Sequence, residues 1–307
     1  MQHYWSIEDI HLQDSWVTIG SFDGVHLGHQ EIVRNLVQGA RQANVPAVVV
    51  TFYPHPAYVL GKRKDPIYLT LPEERADLLA QLGVDVVISH PFNLQVASLT
   101  AKEFMLHLKQ HLGFSHLCIG YDFALGRGRE GNVETLKILG KELGYEVSAI
   151  SAVVNGDVTV SSSQIRALIL DGDVKRASRL LGRPYRLGGD VIRGDARGKA
   201  LGIPTANLDV LAERAVPKAG VYVCKAIVDG NYWGAVTNIG VRPTFEKQPV
   251  LPRVEAHLLD FQGDLYGKTL QLDFISRLRD EKHFNGIQAL VDQIHRDIDQ
   301  ARNILRQ

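Results

Sequence analysis

Apolar runs and helical periodicities alternate through the first half of the chain. Nearly continuous apolar runs occupy residues 17–20, 47–52, 84–88, 116–120 and 146–150. Between them, segments 30–42, 72–82, 101–111 and 133–143 repeat apolar positions at the three-to-four spacing of a helix face. Pro72 followed by Glu73 and Glu74 suits a first helical turn: a missing N–H is harmless there, and acidic side chains oppose the helix dipole. Strands apolar on both faces and separated by helices predict a parallel sheet covered on both sides. Ligands of such sheets bind beyond the carboxyl ends of the strands. His26, His55 and Asp122 each follow a strand in this way.

The pattern changes after Leu181-Gly182-Arg183-Pro184. Short β-rich runs follow at 186–192, 221–228, 232–239, 254–258 and 270–274, and Asp229-Gly230-Asn231 between two of them is a hairpin signal. These runs predict a small antiparallel barrel. The chain then closes with one amphipathic helix, on which Ile287, Leu290, Val291, Ile294, Ile298, Ala301 and Leu305 share a face. The expected organisation is α/β followed by β, with domains at residues 1–184 and 185–307. A length of 307 residues suits two domains of ordinary size.

Composition adds limits. The 34 basic and 34 acidic residues balance, so no polyanion-binding surface is implied and no nucleic-acid partner is expected. Cys118 and Cys224 each sit inside an apolar run and read as buried thiols, with no disulfide framework. No apolar run approaches the roughly 20 residues of a membrane span, and the start Met1-Gln2-His3-Tyr4-Trp5 lacks the pattern of a secretory signal. A cytoplasmic protein that meets small molecules, with at most weak self-association, is the expectation.

The candidate chemistry begins at Gly20-Ser21-Phe22-Asp23-Gly24-Val25-His26-Leu27-Gly28-His29, between a strand and a helix. Two glycines let the backbone turn tightly, the helix start that follows favours a phosphate, and Gly20, Phe22, Asp23, Gly24 and Gly28 are the candidate phosphate-binding residues. His26 and His29, three apart, project from one turn. The segment is either a nucleotide-phosphate site or a tight turn with two surface histidines. Asp23 either orients an imidazole, binds nucleotide or caps the turn. Ser161, Ser162 and Ser163 ahead of Arg166 form a second phosphate-binding candidate, with a plain helix cap as the alternative. In the second half, Gly194, Arg197, Gly198 and Lys199 lie in a glycine- and charge-rich loop suited to closing over phosphates. Thr205 and Asn207 alternate in an extended segment, and their oxygens suit Mg²⁺. Neutral ligands alone hold that ion weakly, so it is expected to arrive with a bound phosphate group. Glu255, a carboxylate inside an apolar strand, is a candidate base or an outward-facing strand residue.

These motifs resemble a known family. The His26–His29 segment is similar to the HxGH signature of the nucleotidylyltransferases. Its longer form resembles the bacterial bifunctional FAD synthetases, which carry riboflavin kinase and FMN adenylyltransferase on one chain. Val160-Ser161-Ser162-Ser163-Gln164-Ile165-Arg166 resembles the superfamily's ISSTxIR element. Thr51-Phe52-Tyr53-Pro54-His55-Pro56 and Gly120-Tyr121-Asp122-Phe123 are similar to its flavin-side loops, implying flavin contacts for Phe52, His55, Pro56, Asp122 and Phe123; core packing is the other account of Phe52. Pro204-Thr205-Ala206-Asn207 resembles the riboflavin kinase PTAN motif, with Lys199 standing where the family often has Arg. The segments 238–245 and 278–284 resemble NIGxRPTF and LRxExKF, with His283 in place of Lys. They imply flavin and nucleotide pocket walls at Asn238, Arg242, Arg279 and Glu281, though Arg242 and Arg279 also suit structural ion pairs. The resemblance implies a Rossmann-like adenylyltransferase domain, a kinase-type barrel, ATP as co-substrate, riboflavin, FMN and FAD as substrates and products, and Glu255 as the base. Two other readings keep only the first half active, or neither.

Overall fold

The computed structural model describes residues 1–62, 67–155, 158–194, 198, 201–240 and 252–306. They divide into two compact units, Met1–Ser162 and Ser163–Gln307.

The first unit begins with β1 (Gln2–Tyr4), β2 (Trp16–Ile19), α1 (Leu27–Ala43) and β3 (Ala47–Tyr53). It continues through α2 (Pro56–Val59), α3 (Pro72–Gln81), β4 (Val86–Pro91), α4 (Leu94–Ser98), α5 (Ala101–Leu112) and β5 (His116–Gly120). Short strands β6 (Ala124–Leu125) and β7 (Gly131–Asn132) lead to α6 (Val133–Leu143), β8 (Glu146–Ile150) and a hairpin of β9 (Val154–Asn155) and β10 (Val158–Thr159). Six strands form one sheet in the order β1-β4-β3-β2-β5-β8, and every pairing in it is parallel. Successive strand residues face opposite sides. Val48 and Val50 therefore join Phe104, Met105 and Leu108 of α5 and Leu136 of α6. Val49 joins Val33, Leu36 and Ala40 of α1 and Ala76 and Leu79 of α3. Burial on both faces explains why these strands carry no polar alternation. Chain order reverses around β2, whose neighbours are β3 and β5, so the switch point lies at the carboxyl ends of β2 and β5.

The second unit opens with α7 (Ser162–Asp171, its first residue in the first unit) and α8 (Val174–Leu181). Strands β11 (Tyr185–Ile192), β12 (Ala206–Asp209), β13 (Gly220–Val228), β14 (Asn231–Gly240), β15 (Arg253–Leu258) and β16 (Thr269–Arg279) follow, and α9 (Ile287–Leu305) closes the chain. The strands close into a barrel in the order β11-β12-β15-β14-β13-β16, antiparallel throughout. Leu187, Tyr222, Cys224, Ala226, Leu272 and Phe274 are fully enclosed. The apolar face of α9 packs Ile298, Ala301, Ile304 and Leu305 against Val221, Val223, Val236, Ile275 and Leu278. Helix α8 packs against β11 and β16.

The α/β-plus-β architecture agrees with the sequence pattern. Local boundaries move for identifiable reasons. Helix α1 starts three residues before the expected 30, because His26 caps it with its own imidazole. Strand β16 runs on to Arg279, since Ser276, Arg277 and Arg279 interrupt its apolar run without ending its pairing to β13. Arg197, Lys199 and Arg242 lie outside the described residues.

Candidate active sites

The first candidate site grows from the turn after β2. Phe22, Gly24 and Val25 have φ of 45°, 81° and 40°. Positive φ is easy for Gly24 but costly for an aromatic and a β-branched residue. Three long-range tethers hold the turn. Both carboxylate oxygens of buried Asp23 accept backbone N–H groups, from Leu69 at 3.0 and 3.2 Å and from Thr70 at 3.0 Å. The Gly24 N–H donates to Thr70 Oγ1 at 2.9 Å, and Thr51 Oγ1 donates to the Ser21 carbonyl at 2.9 Å. Asp23 is thus an anchor for loop 69–70. Gly20 and Gly28 lie against the rings of Phe22 and His26 respectively.

Helix α1 starts with an uncommon cap. His26 Nδ1 accepts the N–H of His29 at 3.3 Å. That acceptor role assigns the proton of neutral His26 to Nε2. The two imidazoles stack at 3.6 Å between centroids and 17° between planes, and Phe22 leans on His29 at 5.0 Å. Nδ1 of His29 is buried without a hydrogen-bond partner among the described residues. Burial, then the neighbouring charges of His26 and Arg75, hold His29 well below the usual imidazole range. At neutral pH His29 therefore carries no fixed charge, and both rings stand at a helix N-terminus that favours anions.

The serine segment meets this turn across 139 residues: Ser162 Oγ donates to the Asp23 carbonyl at 2.9 Å. Ser161 and Ser163 are exposed. Arg166 is buried one turn further along α7, and its Nη2 donates to Ser163 Oγ at 3.3 Å.

On the expected flavin side, Phe52 is half-buried in an aromatic group with Phe92 at 5.4 Å and Phe104 at 6.1 Å. His55 caps α2 by accepting the Ala57 N–H at Nδ1 (3.0 Å), and Pro56 takes the first helical position. The His55 N–H donates to the hydroxyl of buried Tyr68 at 2.9 Å. Asp122 is exposed just beyond β5, and Phe123 packs its ring partly into the core. The switch point thus gathers the histidine turn and Asp122. Sequence reading missed Arg75, the largest fully buried side chain among the described residues, and Tyr68. The signal for Arg75 was a cation within the buried stripe Pro72, Arg75, Ala76, Leu79 of α3.

The second candidate site lies on the outer face of the barrel. Asn207 pairs across strands with Glu255, and Glu255 with Asn238. Directly opposed antiparallel residues share a face, so β12, β15 and β14 place the three side chains in one lateral row. Along β15, Val254, Ala256 and Leu258 turn inward while Arg253, Glu255 and His257 do not. Arg253 Nε lies 2.6 Å from Glu255 Oε1 and donates to Asn207 Oδ1 at 2.8 Å. His257 Nδ1 donates to the Pro204 carbonyl at 2.8 Å, fixing the chain just before Thr205. Gly194 runs against this group: a Cβ there would stand 2.2 Å from Asn207 Nδ2 and 2.9 Å from Arg253 Nη2, so a side chain would have to displace one of them. Gly198 abuts Thr205 Oγ1 and the Ile203 carbonyl. Glu281 reaches the end of β14, where its Oε1 lies beside Gly240, as does the Asn238 amide.

Arg279 is committed elsewhere within the unit. It makes a forked pair with Asp297 of α9, with Nη2 to Oδ2 at 2.7 Å and Nε to both oxygens at 3.0–3.1 Å. Asp297 is only 3% exposed. Arg253 and His257 were not singled out from sequence, although their alternation with apolar residues along 253–258 marks them as outward-facing.

Oxygen donors at Thr205 and Asn207 suit a hard cation, and Asn207 Oδ1 is already turned toward a positive charge, the Arg253 guanidinium. The residues therefore fit Mg²⁺. Among the described residues no cluster of three His, Cys, Asp or Glu side chains offers a metal cage.

Comparison with known proteins agrees with this division. An FAD synthetase family model matches residues 8–164, and a riboflavin kinase model matches residues 181–305. A bifunctional riboflavin kinase/FMN adenylyltransferase of Bacillus subtilis is 39% identical, covering 94% of this chain and 91% of its own. Its Pseudomonas fluorescens counterpart is 41% identical, covering 93% and 91%. A solved structure described as a macrolide-efflux protein from Streptococcus pneumoniae is 34% identical with a TM-score of 0.90, covering 98% of both chains. Among the described residues, no helix is long and apolar enough to cross a membrane. Both halves match enzymes, so the readings in which one half or neither is active fall away. The chain belongs to the bifunctional riboflavin kinase/FMN adenylyltransferase family, whose substrates are ATP, riboflavin and FMN.

Proposed function

We propose that residues 1–184 carry adenylyl transfer and residues 185–307 carry riboflavin phosphorylation, each with its own catalytic residues. In the first reaction an FMN phosphate oxygen attacks the α-phosphorus of ATP, and pyrophosphate leaves in line. The protein's part is to position these groups and meet the spreading negative charge. His26 Nε2–H, His29 and Arg166 take that role, and the serine hydroxyls and N–H groups at the start of α7 add donors. Phe52, His55, Pro56, Asp122 and Phe123 hold the flavin.

In the second reaction Glu255 accepts the proton of the riboflavin 5′-hydroxyl as that oxygen attacks the γ-phosphorus of ATP, and ADP leaves. Asn238 and Glu281 wall the flavin, and the loop with Gly194 and Gly198 covers the nucleotide. Arg242, Arg197 and Lys199 keep the roles that the resemblance gives them. Thr205 and Asn207 would hold Mg²⁺ brought with ATP, which neutralises phosphate charge when bound. Arg253 joins Asn207 and Glu255 and keeps them aligned. Two free, buried cysteines fit a cytoplasmic setting.

The observation that carries the reading is the row Asn207–Glu255–Asn238, which strand pairing brings to one face from three separate motifs. The test is product chromatography after incubation with riboflavin, Mg²⁺ and ATP. Glu255→Gln is expected to lose about 10²–10⁴-fold in FMN formation, the span of a general base. Full phosphorylation by that variant would remove Glu255 from the role.

A further inference from the structure

A buried arginine without a carboxylate in hydrogen-bond contact is costly, and Arg75 is 1% exposed. Its guanidinium divides between two arms. Nη1 donates to Thr51 Oγ1 at 2.8 Å, and that hydroxyl donates in turn to the Ser21 carbonyl. Nη2 donates to the Thr70 carbonyl at 3.1 Å, and Thr70 N–H is one of the groups holding Asp23. The arms therefore end on Ser21 and Asp23, the two residues flanking Phe22 at its positive φ. The same turn presents His26 and His29.

We propose that Arg75 is a positioning residue for adenylyl transfer: it clamps the turn on both sides of Phe22 and so fixes where the stacked imidazoles meet the phosphates. The inference rests on the role proposed above for His26 and His29. Two further observations support it. Asp23 offsets part of the burial that lowers the Arg75 pKa, so the cation and the anchoring carboxylate act as one assembly. The charge of Arg75 is also among the influences that hold His29 neutral, after burial and His26. An arginine serves where lysine is weaker, because two separate nitrogens reach two separate acceptors in a fixed fork.

The experiment uses the full chain and assays FAD formation from FMN beside FMN formation from riboflavin. Arg75→Met is expected to lower the first by about 10–100-fold, the cost of a small displacement of catalytic groups, and to leave the second within about twofold. Arg75→Lys should recover part of the loss. Thr51→Val, which cuts one arm and keeps the shape, should lower FAD formation by a smaller factor in kcat rather than KM. The His29 imidazole, followed by NMR, should titrate higher in Arg75→Met. Wild-type FAD formation in Arg75→Met overturns the proposal. If that variant loses both activities by misfolding, Thr51→Val decides, and an unchanged kcat there overturns it. His29→Ala is run in parallel. If it is fully active, the underlying role of the histidines fails; if it is impaired while Arg75→Met is not, only the clamp fails.

Discussion

His29 carries a pH dependence whose sign follows from its surroundings. Its folded pKa lies well below the ordinary value of about 6.5. Below that pH the unfolded chain takes up a proton that the folded site resists, so this residue costs stability as pH falls through about 6.5. A bound triphosphate reverses the local balance, because a nearby anion favours the imidazolium. ATP binding is therefore expected to draw in a proton, and affinity should rise from pH 7.5 to 6. Calorimetry in two buffers of different ionisation enthalpy reads this directly; a binding heat independent of buffer would contradict it. His26, Asp23 and Glu255 stood out in the sequence because their motifs are local. Arg75, Tyr68, Arg253 and His257 did not, because each acts on a partner far along the chain: Arg75 on Thr51, Tyr68 on His55, Arg253 on Asn207, His257 on Pro204. Residue type alone does not announce such a partner.

At the scale of elements, the clamp between β16 and α9 makes a separate claim. The Asp297 carboxylate receives the Arg279 guanidinium and the Gln293 side-chain amide in a nearly closed setting. Asp297→Ala leaves a mostly buried cation unpaired, which costs about 3–5 kcal/mol. The expected outcome is a clear fall in the denaturation midpoint of the barrel, with the first unit's transition unmoved. A loss of riboflavin affinity at unchanged stability would favour the flavin contact expected of Arg279 over the clamp. Element identity was legible wherever periodicity was strong, as in α1, α5, α6 and α9. Short elements such as β6, β7 and β12 span at most four residues. Tertiary pairing rather than periodicity defines pieces of that length. The early start of α1 escaped notice because histidine is an unusual cap.

At the scale of the whole molecule, the compact units part at 162/163, whereas the composition changes near 184. Helix α8 explains the offset. It buries Val174, Ala177, Leu180 and Leu181, and it packs against β11 and β16. Apolar side chains of this size stabilise by about 1.5–3 kcal/mol each at full burial, an upper estimate. A fragment of residues 163–307 is therefore expected to be more stable than one of residues 185–307 by several kcal/mol in urea. Equal midpoints would show that α8 adds nothing to the barrel. Two folds in series were legible from the change of periodicity. The helical cover of the barrel was not, because residues 162–181 come before the strands they protect.

If the two reactions use separate residues on one chain, two single variants mixed together should complement each other. Glu255→Gln and His29→Ala, each alone with riboflavin, Mg²⁺ and ATP, should form little FAD. Glu255→Gln should make FAD at the normal rate when given FMN, and His29→Ala should make FMN normally while losing about 10²–10³-fold in its conversion. Together they are expected to restore FAD formation from riboflavin, with FMN released by one variant and used by the other. Failure of Glu255→Gln to adenylylate supplied FMN, or loss of both activities in either folded variant, would contradict the account.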